Sequence, residues 1–145
     1  MSDISLMTIV EALLQLSIII MVGLYFIFSN TIMRVLSMRS DGASTMIDIN
    51  RQILNPLFLG CFAVSGIAGL YFFVFHAGLQ SIAGLVFFIG TTLVTAVFNV
   101  PLNNKLRDSS PDILPVVWQN YLIKWTFWNN VRTVSAIGSG FLISL

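Results

Sequence analysis

Charge is scarce in this chain: Lys and Arg together number seven and Asp and Glu six in 145 residues, 9% of the whole. Soluble globular domains carry about 25%, so a chain this poor in charge cannot cover itself in water. The net charge of +1 supplies neither a basic nor an acidic field, and nucleic acid is not an expected partner. A single cysteine, Cys61, excludes an internal disulfide and a cysteine-only metal site. A single histidine, His76, excludes a haem held between two histidines of one chain, and no zinc site can be built from His and Cys alone. Neither a haem nor a metal is therefore expected.

Apolar residues fill the space that charge leaves. They make up 57% of the chain, and the mean hydropathy is +0.91. At this length one domain is the natural count. The first apolar stretch lacks the positive region of a signal peptide, since Asp3 is the only charge before Glu11, and no small-residue cleavage pattern follows it. It reads as a span that stays.

A membrane span needs roughly 20 apolar residues, and four stretches qualify, at about 7–29, 56–76, 81–99 and 121–145. The expected fold is therefore all-α, an integral membrane four-helix antiparallel bundle in one domain. Between the first two spans, Ser44 to Asn55 reads as a short amphipathic helix with Met46, Ile49 and Ile53 on one side, stopped by Asn55-Pro56. The loop after the first span carries Arg34, Arg39 and Arg51, and the loop after the third carries Lys105 and Arg107, with Lys124 close by. The remaining loop and both ends carry none, which predicts a cell-membrane protein with its positive loops in the cytoplasm and both termini outside.

Polar groups inside a membrane are costly, so their placement is informative. At about 100° per residue, Trp118, Tyr121, Trp125, Trp128, Asn129 and Arg132 share one face of the last helix. An interfacial aromatic belt would explain the rings, but it has no need of Asn129 and Arg132, which favours an inward-facing stripe. In the third span Thr92, Thr95 and Asn99 share a face, and Pro101 should disturb the helix after them. The threonines read more simply as bonding their own backbone. The first span carries Glu11, Gln15, Tyr25 and Ser29 on one stripe, and a contact between Glu11 and His76 at the outer end is geometrically open. Arg132 lies roughly 10 Å inside the boundary near Trp125 at 1.5 Å per residue, with no acid in reach unless Asp48 tucks inward. Snorkelling to the headgroups is the competing reading.

Four segments together resemble a family of small membrane proteins related to the fungal anthrone oxygenases. They are Gly23-Leu-Tyr-Phe-Ile-Phe-Ser29-Asn30, Ile49-Asn50 with Asn55-Pro56, Asn99-Val-Pro-Leu-Asn103, and Trp125-Thr-Phe-Trp-Asn129-Asn130-Val-Arg132-Thr133. The resemblance implies a four-helix membrane bundle and oxygenation of a planar polyketide without a known metal or flavin. An anthrone deprotonates to an electron-rich enolate that can itself react with dioxygen. The protein then needs to bind a flat ring, remove a proton and stabilise the oxyanion. On that reading Arg132, Asn99 and Asn129 face the anion, and Trp118, Tyr121, Trp125 and Trp128 stack on the ring, with Tyr25, Asn50 and Asn103 completing the substrate-binding set. The family pattern commonly reads Trp-Asn-His-x-Arg-Thr, and this chain departs from it with Asn130 in place of the histidine.

Two other readings compete. One is a small proton-coupled exporter with Glu11 as its coupling acid. The other is a non-catalytic accessory protein whose polar cluster only holds the helices together. Membrane lipid and a lipophilic small molecule are the expected partners, and four short spans leave enough lipid-facing surface for a homodimer.

Overall fold

In the computed structural model, residues 5–145 are described, and Asp3 lies outside them. The described chain is all-helical, with no strands, and forms five helices: α1 (Leu6–Ser37), α2 (Gly42–Ile53), α3 (Pro56–Phe75), α4 (Gly78–Arg107) and α5 (Leu114–Ile143). Three of them, α1, α3 and α4, are long and apolar enough to cross a membrane. The protein is therefore of the membrane type that its composition predicts. α5 has 30 residues, but Lys124, Asn129, Asn130 and Arg132 lower its hydropathy.

Local chemistry sets the boundaries. Ser5 caps α1 by accepting from the Thr8 amide at 3.1 Å, and Asn55 caps α3 by accepting from the Phe58 amide at 3.0 Å with Pro56 at the first helical position. Gly78 takes φ +62° in the tight α3–α4 connection, a conformation that glycine adopts without strain. The amphipathic helix begins two residues earlier than expected, behind Asp41. Two hydrogen bonds of 2.7 Å from Arg39 hold the Asp41 carboxyl below the usual carboxylate range. Met46 is fully buried, and Ile49 and Ile53 are half-buried on the same side.

α3 packs on α4 and α1, and α5 packs on α1 and α4. The α3–α4 contact is close enough for backbone to meet backbone. A Cβ on Gly84 would strike the Gly69 carbonyl and the Phe73 amide, whereas one on Gly60 or Gly138 would meet nothing within 4 Å. Gly84→Ala is thus expected to cost about 1–3 kcal/mol or more, while the two control alanines leave thermal unfolding in detergent unchanged or slightly raised. Equal melting of all three variants would contradict this packing.

Pro101 does not end α4, which runs on to Arg107. The expected disturbance falls just before the proline, where Thr95–Asn99 is π-helical, and a second π turn, Phe88–Leu93, lies further back in the helix. A wider turn absorbs the backbone bond that proline cannot make. A third π turn, Phe28–Ile32, interrupts α1. Ser29, Thr91, Thr95 and Asn99 all sit on these turns. Such bulges are frequent at functional sites because they rotate the following side chains relative to a regular helix.

Candidate functional site

Arg132 is 6% exposed, and among the described residues no carboxylate pairs with it. Asp48 faces outward, 3.7 Å from Arg51, and does not tuck inward. Arg132 donates instead through Nη2 to Asn129 Oδ1 at 2.6 Å and through Nη1 to Thr95 Oγ1 at 3.1 Å. Its guanidinium carbon lies 4.7 Å from the Tyr25 ring centre and 5.2 Å from that of Trp125. Two ring faces and two neutral acceptors offset part of its lost hydration, each ring by about 0.5–2 kcal/mol. They leave the positive charge itself uncompensated.

The partners of Arg132 are fixed in turn. Asn129 donates to Ser29 Oγ at 2.7 Å and to the Tyr25 carbonyl at 3.1 Å. Thr133 donates to the Asn129 carbonyl at 2.8 Å, so the 2.8 Å contact between Ser29 and Thr133 has Ser29 as its donor. Thr95 donates to the Thr91 carbonyl at 2.7 Å and Thr91 to the Phe87 carbonyl at 2.7 Å. Thr91 and Thr95 therefore bond their own backbone, as their placement in a span suggests, whereas the Thr92 hydroxyl is buried without a partner. Thr95 orients its lone pairs toward Arg132 by its backbone bond.

Above Arg132 lies a cavity of about 260 Å³, near the lower end of the roughly 300–1,000 Å³ that ligand pockets occupy. Its floor is Tyr25, Thr95, Asn99, Asn129 and Arg132. Its walls are apolar, from Leu24 and Phe28 of α1, Met46 and Ile47 of α2, Phe58 of α3, Val100 of α4 and Trp125 of α5. Arg51, Asn104 and Arg107 stand at its rim. Among the described residues no Asp, Glu or His lines it.

The profile of the anthrone oxygenase family matches residues 43–142, more than half of the chain. The chain belongs to the anthrone oxygenase family. No curated protein and no solved structure matches it.

The match begins at α2 and ends in α5, so it takes in every cavity residue of this anthrone oxygenase family member except those of α1. Of the residues expected from the sequence, Tyr25, Asn50, Asn99, Asn103, Trp125, Asn129 and Arg132 line the cavity. Three rings do not. Trp118 and Tyr121 are buried behind Trp125 in a ladder with centre spacings of 5.6 and 5.8 Å, so they stack on each other and not on a ligand. Tyr121 instead donates to Asn103 at 2.8 Å, tying α5 to α4. Trp128 turns away and lies flat on Phe98, 3.6 Å between centres, in a groove on the outer side of α4 and α5. Three residues past Trp125 amounts to a rotation of about 300°, enough to carry it off the cavity edge.

Asn130, where the family pattern has histidine, is exposed and off the cavity. The exchange therefore leaves the cavity lining unchanged. Glu11 stands 3.5 Å from His76, the contact the sequence left open, and also accepts from the Tyr71 hydroxyl at 2.9 Å. None of the three lines the cavity. Thr95, Leu24, Phe28 and Met46 are site residues that the expected set left out. The signal for Thr95 was its place one turn before Asn99 on the same face.

Proposed function

We propose that the protein is a four-span bundle, α5 being the fourth crossing, that oxygenates a planar aromatic substrate bound as its anion, without a cofactor. Its positive loops face the cytoplasm of the cell membrane and both termini lie outside, as the distribution of Lys and Arg favours. The observation that carries the reading is the buried Arg132, a cation without an acidic partner among the described residues, at the floor of an apolar cavity. Such a site is completed by a ligand that brings a negative charge and a flat apolar body.

The chemistry follows from the lining. Anthrone loses a proton from its methylene carbon to give an enolate, and Arg132 stands where it can hold the enolate oxygen. With no carboxylate or imidazole in the lining, the proton leaves to solvent at the rim and the protein acts by stabilising the anion. The enolate passes one electron to dioxygen, and the radical pair combines to form the carbon–oxygen bond. The peroxide takes up a proton, then loses water made from its outer oxygen and the remaining methylene hydrogen. One anthrone and one dioxygen give one anthraquinone and one water.

The exporter reading gains nothing from the cavity, because Glu11 lies outside it. The test is oxygen uptake by purified protein in detergent with anthrone. The expected result is uptake of one dioxygen per anthrone, faster than the spontaneous reaction, with one labelled oxygen atom in the new carbonyl. A rate equal to the protein-free control would overturn the reading and favour the accessory role.

A further inference from the structure

Buried polar groups are almost always paired, yet Asn99 Oδ1 and Trp125 Nε1 have no partner, and both residues line the cavity, Asn99 in its floor and Trp125 in its wall. Asn99 is 1% exposed. Its amide orientation is fixed, because Nδ2 faces the Trp125 carbonyl at 3.4 Å and an oxygen there would repel it. The lining therefore offers one buried carbonyl acceptor, Asn99 Oδ1, beside N–H donors from Trp125 and Arg132 and the unpartnered Tyr25 hydroxyl. An oxyanion satisfies the donors but leaves the acceptor empty, and an empty buried acceptor costs about 1–3 kcal/mol. The ligand that completes this floor carries a hydrogen-bond donor as well as an anion.

Spacing says where. Thr95, which holds Arg132, and Asn99 are four residues apart on α4. That is about 6 Å along the axis at 1.5 Å per residue, somewhat less in a wider π turn. A hydroxyl directly beside the enolate oxygen is too close to it, and its hydrogen is already held by that oxygen. A hydroxyl further along the ring edge is free to donate.

We propose that Asn99 is a specificity residue that accepts a hydrogen bond from a free phenolic hydroxyl on the substrate, set about 6 Å from the oxyanion along the ring edge. Asn99 thus selects hydroxylated aryl ketones over unsubstituted ones. This rests on the oxygenase reading and deepens it.

The test is binding to the full protein in detergent under nitrogen, so that no turnover occurs, with three probes: anthrone, 3-hydroxyanthrone and 3-methoxyanthrone. The methoxy compound keeps the bulk and removes the donor. Wild type is expected to hold the hydroxy probe about tenfold tighter than either of the others. Asn99→Leu should bring that ratio close to one. Asn99→Asp keeps acceptor oxygens but loses the bond to the Trp125 carbonyl, so it should weaken all three probes and preserve the ratio. A purely structural Asn99 would make the Asp and Leu variants alike. Anthrone binding with a wild-type ratio near one overturns this inference and leaves the oxygenase reading standing, and that comparison needs no variant to fold. Failure of all three probes to bind overturns both.

Discussion

Arg132→Gln should slow oxygenation of anthrone by about 10²–10³-fold, the usual loss when one preorganised donor to a developing oxyanion is removed. Glutamine can still reach Asn129 or Thr95 with one N–H, so the fold keeps a partner for one of the two acceptors, but the charge is gone. The pH profile should move as well. The lining supplies no titrating base, so the rate is expected to rise with pH as the substrate ionises. A nearby guanidinium favours the charged form of a bound acid by about 1–3 pKa units. The wild-type profile therefore reaches its plateau at lower pH than that of Arg132→Gln, which approaches the pH dependence of anthrone in water. Rates measured from pH 6 to 10 decide this. A variant with a lower plateau but an unshifted profile would mean that Arg132 holds the fold and does not act on the anion.

Asn129→Leu should be among the most damaging single changes to stability. Asn129 is fully buried and serves four groups at once, accepting from Arg132 and Thr133 and donating to Ser29 and the Tyr25 carbonyl. The contact with Thr133 runs through the backbone and survives substitution. The other three are side-chain bonds, and leucine removes them all. Ser29 keeps its bond to Thr133 and the Tyr25 carbonyl keeps a helical amide, so the Arg132 Nη2 donor is the group left without a partner. A loss of about 1–3 kcal/mol or more is expected for a buried charged donor, a large share of a small protein's stability. Helical content followed through titration with a denaturing detergent measures it. Unfolding at the wild-type midpoint would show that α1 and α5 are held together by their apolar contacts alone.

Much of the fold was legible because membrane segments announce themselves by composition. The α3 boundaries followed from Asn55-Pro56 and His76, and the inward side of α2 from Met46, Ile49 and Ile53. The Glu11–His76 contact followed from both residues ending spans on the same side. The site was readable in part for the same reason: Arg132, Asn129, Asn99 and Trp125 are polar or amphipathic groups at a depth where they need partners. What the sequence hid is tied to the π turns. A regular 100° step places Thr92, Thr95 and Asn99 on one face, but in the wider turns it is Thr91 that is fully buried and Thr95 that meets Arg132. Pro101 signalled a break, and its effect is a change of helical pitch one turn earlier. Trp128 was assigned to the cavity because a broad face admitted it, and only its partner Phe98 shows that it points the other way.

Whether the cavity holds an aromatic anion against Arg132 is tested most directly by the absorption spectrum of anthrone bound under nitrogen. The enolate is more extensively conjugated than the ketone and absorbs at longer wavelength. Wild-type protein should show the enolate band at a pH where free anthrone is still the ketone, and Arg132→Gln should show none. Anthrone bound as the neutral ketone in both proteins would contradict an anion held against Arg132.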